Sequence, residues 1–424
     1  MNDGNRAAAE HAVADAHRRE WAFVLAATAR VAGDLDLAEE CVQDAYLTAL
    51  ETWTRDGVPR KPGAWLTTTA KRKALDVLRR DQVFRTKMPL LAEPDEVGMD
   101  EPDDETIQDD RLRLIFTCCH PALAREAQVA LTLRLVCGVG TGDIAKAFLV
   151  SEPTMAARVT RAKKKISAAA IPYRVPDAGE LPERLDTVLT VIHLLYTTGH
   201  TASTGADLVR ADLVERALAL TRMLVALMPD EAEVRGLLAL LLLTDARRAT
   251  RTDARGRLLL LEDQDRSAWD RAAIDEGRHL VQSAFRTGPA GRYALQAGIA
   301  CLHATAADYA ATDWPQILWL YDELLKLWPS PVVALNRAVA TSMVHGPQAA
   351  LDEIDALARD DRLAAYHYLP AIRADLLRRL GRRREAAVAY RAALDLAGNE
   401  AEREFLTTRL AETVNPGSGR PPER

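Results

Sequence analysis

Small and apolar residues recur three and four positions apart in almost every patterned segment of this chain. That spacing draws one stripe down an α-helix, so an all-α fold is expected. In Leu35, Ala38, Cys41, Val42, Ala45, Tyr46, Ala49 and Leu50 the stripe is complete, with acids on the other face. Asp34 stands before it as an N-cap, its side chain placed to accept from free backbone N–H groups. Aromatics are only 5% and Ala, Leu and Arg dominate, which favours helix over sheet. At 424 residues the chain is expected to hold several domains, at roughly 100–200 residues each.

Composition excludes some classes. Apolar residues at 48% and charged residues at 27% describe an ordinary globular chain, not a disordered or fibrous one. Five cysteines are too few for a disulfide framework at this length and read as reduced thiols. Asp3, Arg6, Glu10, Asp15 and His17 lie where a signal peptide needs an apolar core, so a cytoplasmic location is expected. The longest apolar run, residues 237–243, falls far short of the roughly 18–20 needed to span a bilayer.

The net charge of −6 hides a segregated distribution. Residues 31–54 carry six acids and no Lys or Arg. Residues 55–87 carry ten bases against three acids. Residues 88–110 carry ten acids and no base, and residues 111–175 carry eleven bases against three acids. One charge block is ordinarily a solvated face. Two basic blocks that coincide with helical motifs form the electrostatic footprint of phosphate binding.

Punctuation divides the chain. After Lys61-Pro62-Gly63 a helix is expected over about residues 64–80, anchored by Trp65, Leu66, Leu75 and Leu78. Helical pattern lapses over 88–110, where Pro89, Pro94, Gly98 and Pro102 sit among the acids, giving a mobile acidic linker. Pattern returns over 111–175. Pro172, Pro176 and Pro182 mark a further boundary, after which 183–413 is expected to be helical throughout, broken by short turns, with a disordered tail over 414–424. Within that region Ala338, Ala350, Ile354 and Leu357 are echoed by Ala374, Ala386, Tyr390 and Ala393, and Ala350 and Ala386 are 36 positions apart. This is close to the tetratricopeptide period of about 34, in which stacked helix pairs bury faces that one pair cannot.

The most informative stretch is 128–165. Gln128, Val129, Leu131, Thr132 and Leu135 make one helix, broken by Cys137-Gly138-Val139-Gly140. Residues 143–148 make a short second helix, residues 149–151 a turn, and Ser151 caps a third helix that tolerates Pro153 in its first turn. Met155 and Val159 face inward. Thr154, Arg158, Arg161, Lys163, Lys164 and Lys165 are left facing outward. A helix fits the major groove, and residues near its N-terminal end reach base edges.

These residues resemble a bacterial sigma-70 type RNA polymerase sigma factor of the small extracytoplasmic-function group. Ile144-Ala145, Thr154-Met155 and Arg158-Val159-Thr160-Arg161-Ala162-Lys163 resemble region 4 of that family. The segment from Asp36 to Tyr46 is similar to the acidic helix of region 2 that docks on the polymerase β′ clamp. Trp65-Leu66, Ala70, Ala74-Leu75-Asp76 and Arg79-Arg80 resemble the region 2 helix that opens and reads the −10 element. Phe116-Thr117-Cys118-Cys119-His120-Pro121 and the long extension resemble a subgroup with a tetratricopeptide-like C-terminal domain.

The resemblance implies region 2 over 10–87, the linker over 88–110, region 4 over 111–175 and the helical extension over 183–413. It implies core polymerase contact, at the β′ clamp and the β flap, with Asp36, Glu39, Glu40, Gln43 and Asp44 on the clamp. It implies promoter contact at −10 by Trp65, Lys71, Arg72, Lys73, Asp76, Arg79 and Arg80, and at −35 by Ser151, Thr154, Arg158, Arg161, Lys163, Lys164 and Lys165. Where the family usually carries Asn, this chain has Arg72, which suits a phosphate better than a base edge. For Trp65 a core position is the preferred reading. A regulatory protein or ligand is implied at the extension.

No cofactor or catalytic chemistry is expected. Cys118, Cys119 and His120 are consecutive, and helix neighbours about 100° apart do not converge on one metal ion. His193, His200, His279, His303, His345 and His367 are scattered without a nucleophile and read as satisfied or surface side chains. No glycine-rich phosphate loop is present. Two other readings remain open: a helix-turn-helix regulator fused to a helical sensor, and a tetratricopeptide scaffold. The region 2 match speaks against the first and the charge segregation against the second.

Overall fold

A computed structural model describes residues 2–86, 104–148, 150–200, 210–253 and 255–414. Most of the expected acidic linker, Leu149 in the helix-turn-helix turn, and the expected tail from residue 415 lie outside the described residues. Among the described residues the secondary structure is helical, with one isolated bridge between Thr252 and Leu258. The chain divides into two compact units, residues 1–194 and 195–424.

The first unit is built on α1 (Asn2–Ala32), which packs against α2 (Leu35–Asp56), α3 (Pro62–Thr86) and α4 (Asp104–Cys118). Asp34 caps α2 by accepting from the N–H groups of Asp36 and Leu37, each at 2.9 Å. The expected α2 stripe is buried from Leu35 through Ala49, with Leu50 at its edge. α3 starts at Pro62 and runs past its expected end to Thr86. Its inner face is Leu66, Ala70 and Ala74, while Trp65, Leu75 and Leu78 are half-buried.

Two boundaries differ from the sequence expectation. Asp104 to Asp110, expected in the linker, forms the start of α4. Asp110 is buried and paired with Arg30 at 3.2 Å and Arg113 at 2.9 Å, so local proline and charge content is overridden by two cations. The first helix of the helix-turn-helix is also not uniform. α5 (Arg125–Leu131) passes into a π-helical turn over Thr132–Val136. Next come α6 (Thr141–Ala147) and α7 (Glu152–Ala168). Gly138, in the connection, has φ +66, and an added Cβ would lie 3.0 Å from the Trp21 ring. Both the backbone conformation and the close indole call for glycine there.

Helix α8 (Leu181–His200) crosses from the first unit into the second. The second unit continues through α9 (Ala211–Leu227), α10 (Ala232–Asp245), α11 (Arg271–Thr287) and α12 (Arg292–Thr305). α10 is buried almost all round, from Val234 and Gly236 through Leu243, and packs on α9, α11 and α12. Then α13 (Trp314–Leu327), α14 (Pro331–Val344), α15 (Pro347–Leu357), α16 (Tyr368–Arg379), α17 (Arg383–Leu396) and α18 (Glu400–Val414) each pack on their sequence neighbours. Ala338, Ala350, Ile354, Ala374, Ala386, Tyr390 and Ala393 lie in one buried cluster, with Leu357 against it.

The expectation of helix throughout 183–413 is corrected over 246–270. This stretch holds three short 3₁₀ turns and the bridge. The Asp253 carboxylate accepts from the backbone N–H groups of Arg255 and Arg257, at 2.9 and 3.0 Å, and so replaces helical bonds with a local turn.

Candidate nucleic-acid interface

Helix α7 presents a cationic edge. Ser151 caps it, its Oγ accepting from the Thr154 N–H at 3.4 Å and lying 2.8 Å from Thr154 Oγ1. Ser151, Thr154, Arg161, Lys164 and Lys165 are exposed. Arg158 is half-buried, with its guanidinium 5.8 Å from the centre of the Phe148 ring. Arg158, Arg161 and Lys165 also border a groove of about 300 Å³ against Leu123 and Ala127. Lys165 donates to the Ala122 carbonyl at the edge of this groove.

Lys163 is placed differently from the sequence expectation. It is only 8% exposed and reaches Asp36 at 2.8 Å and Glu39 at 2.5 Å on α2. Arg134 pairs with the other oxygen of Glu39, which also accepts from Gln43 at 3.2 Å. Burial pulls the Lys163 ammonium down, but attraction and hydrogen bonds from Glu39 and Asp36 outweigh it and hold the group above the usual lysine value. The expectation that Lys163 faces outward is therefore corrected. The signal was in the sequence: 163 follows Val159 by four and Met155 by eight, on the inward stripe.

The α2 acids thus split. Glu39 is buried and Asp36 is exposed but engaged, whereas Glu40, Gln43 and Asp44 are exposed, Asp44 lying 3.4 Å from Lys73. On α3, Arg72, Asp76, Arg79 and Arg80 are exposed, and the Asp76 carbonyl accepts from Arg80 at 3.2 Å. Lys71 is half-buried; burial first and the Arg30 charge second lower its pKa, with Asp110 opposing. Trp65 packs edge-on to the buried Trp53 at 5.6 Å and keeps part of its ring exposed. Cys118 and Cys119 are buried, the latter 3.5 Å from Thr132 Oγ1, and burial pushes the Cys119 thiol up to about 11.

Comparison with known proteins follows the same division. Residues 9–83 match sigma-70 region 2, and residues 113–166 match sigma-70 region 4. The chain belongs to the sigma-70 family. It is an extracytoplasmic-function-like sigma-70 factor with a C-terminal extension, whose residues 184–285 match a family of unknown function, DUF6596. An uncharacterized protein of Rhizobium meliloti (strain 1021) is 44% identical over 383 residues, which is 89% of this chain and 90% of that protein.

As a sigma factor the chain binds core RNA polymerase and promoter DNA and directs promoter-specific initiation. In this sigma-70 factor, regions 2 and 4 meet within one compact unit. Besides the Lys163, Glu39 and Arg134 cluster, Trp21 Nε1 donates to the Leu135 carbonyl at 2.9 Å. Tyr173, after region 4, donates to the Ala26 carbonyl at 3.0 Å. Trp21, Arg134, Asp110 and Tyr173 were not singled out by sequence reasoning, since each acts through a partner more than sixty positions away.

Proposed function

We propose that the three charged helices divide the work of initiation. On this reading α2 docks on the β′ clamp through Asp36, Glu39, Glu40, Gln43 and Asp44. Helix α3 follows the melted −10 strand with Lys71, Arg72, Lys73, Arg79 and Arg80, beside Asp76 and the part-exposed Trp65. Helix α7 reads −35 with Ser151, Thr154, Arg158 and Arg161, while Lys164 and Lys165 hold phosphates, and region 4 meets the β flap. The observation that carries the reading is the edge of α7, where Thr154, Arg161, Lys164 and Lys165 are exposed on a capped helix. Phosphate contacts of this kind set register, and the N-terminal side chains supply base readout.

Lys163 takes a different role in this proposal. With its charge spent on Asp36 and Glu39, it is a link between the two regions, and DNA or clamp contact by Lys163 and Glu39 requires that link to open. The C-terminal unit acts as a built-in, tetratricopeptide-like regulatory module that takes a protein or small ligand, and the protein works in the cytoplasm, where its polymerase is. A helix-turn-helix regulator acting beside another sigma factor has no need of region 2, which residues 9–83 match.

Run-off transcription with purified core polymerase on a promoter library tests the proposal. Initiation at defined start sites that depends on this protein is expected. Failure to associate with core polymerase, or binding to DNA without initiation, overturns it.

A further inference from the structure

The second unit encloses a cavity of about 320 Å³ between α10, α12, α13, α14 and the irregular stretch after α10. That volume is at the small end of ligand-binding pockets. Most of its wall is apolar, including Leu243, Ile299, Leu324 and Trp269. Polar side chains interrupt that wall, among them Arg247, His303, Gln296 and Asn336.

Arg247 is the anomaly. Among the described residues no carboxylate pairs with it. Asp245, two positions away, holds Arg248 at 2.6 and 2.8 Å. The charged groups that act on Arg247 are two more cations, Arg251 and Arg266, with the Tyr196 hydroxyl opposing them. Those cations are themselves spent on carbonyls: Arg251 donates to His200, and Arg266 to His303 and Ala306 at 2.7 and 3.0 Å. Burial first, then the Arg251 charge, pulls the Arg247 guanidinium down to about 10, which still leaves it cationic near neutral pH. A cation in an apolar wall is costly unless an anion joins it.

His303 adds a second open group. Its Nδ1 is buried with no hydrogen-bond partner among the described residues, contrary to the expectation of a satisfied histidine. Burial and then Arg247 and Arg266 pull it down to about 4, so it is neutral at pH 7. The Trp314 ring packs against it edge-on at 5.2 Å and holds its plane.

We propose that this cavity is a binding site for a small monocarboxylate with an apolar body. One guanidinium matches one carboxylate in charge and in its two-pronged hydrogen-bond geometry. A phosphate dianion would leave a surplus negative charge against aliphatic walls. The His303, Gln296 and Asn336 side chains offer further polar contacts, and the leucine and isoleucine wall takes the hydrocarbon. Binding itself is independent of the sigma-factor reading; only an effect of the ligand on transcription rests on that reading.

The test is thermal unfolding of the full chain with octanoate, with octanol as neutral isostere and with inorganic phosphate. Octanoate at about a hundred times its dissociation constant should raise the midpoint by about 5 °C, and the other two should not. Arg247→Met should abolish the octanoate response while leaving the ligand-free midpoint unchanged or higher, because it removes a charge that no described carboxylate offsets. Ala300→Leu, which fills the cavity and spares Arg247, should also abolish it. No response to octanoate, an equal response to octanol, or a response retained in either variant overturns the proposal. If Arg247→Met does not fold, Ala300→Leu decides between the two outcomes. A protein that fails in run-off transcription but responds to octanoate leaves this site standing.

Discussion

Neighbouring lysines on α7 show how position decides a charge's role. Lys163 and Lys164 are adjacent and chemically identical, yet one is buried between two carboxylates and the other is exposed. Lys163→Ala should destabilise the first unit by about 2–4 kcal/mol, because Glu39 keeps its burial and loses a partner. Lys164→Ala should change stability by less than about 0.5 kcal/mol. Denaturant unfolding of the two variants, side by side, checks the contrast. His303 gives a pH prediction of definite sign. Its pKa, pulled down to about 4 by burial and then by Arg247 and Arg266, lies below the unfolded value near 6.5. Stability from this group is full above about 6.5 and is lost as pH falls toward 4. His200, pulled down to about 2 by burial and the nearby arginines, has the same sign. His303→Gln should flatten the stability–pH curve of the second unit between those values relative to the parent chain, as followed by thermal unfolding across pH.

At the scale of elements, helix ends and close crossings govern the outcome. The caps at Asp34 and Ser151 were legible because a short polar side chain before an apolar stripe has one economical use, accepting free N–H groups. The crossing of α10 and α12 was not legible. A Cβ at Gly236 would come within 2.6 Å of the Ala294 backbone nitrogen. Gly236→Ala gains about 1 kcal/mol in helix propensity, but the opposing atoms are backbone and do not swing aside. A net destabilisation of about 1–3 kcal/mol is expected, measured by thermal unfolding. For α7 the relevant measurement is DNA binding against salt. If Arg158 meets a base edge, Arg158→Ala should cost about 1–3 kcal/mol on the preferred promoter only. Lys164→Ala should weaken binding to all sequences and reduce the salt slope by about one.

At the scale of the whole molecule, the division near residue 194 separates a compact unit that carries both sigma regions from the rest of the chain. Arg184, beyond the expected end of region 4, donates to the Phe116 carbonyl at 2.7 Å. A fragment ending near 194 should therefore unfold at a higher temperature than one ending near 175, and both should bind core polymerase. Equal run-off activity of the longer fragment and the full chain under all conditions would remove the regulatory role proposed for the second unit. The sequence by itself determined the all-α class, the order of the two basic modules, the caps and the α2 stripe. Each of these follows from residues within a few turns of one another, where periodicity and side-chain chemistry are local. Only the tertiary structure decided that Lys163 turns inward, that Asp110 is buried inside a helix instead of ending a linker, and that Arg247 lines a cavity with no carboxylate paired to it among the described residues. Those outcomes depend on which distant groups arrive beside a side chain, and the cost or gain of burying a charge is fixed by its neighbours in space.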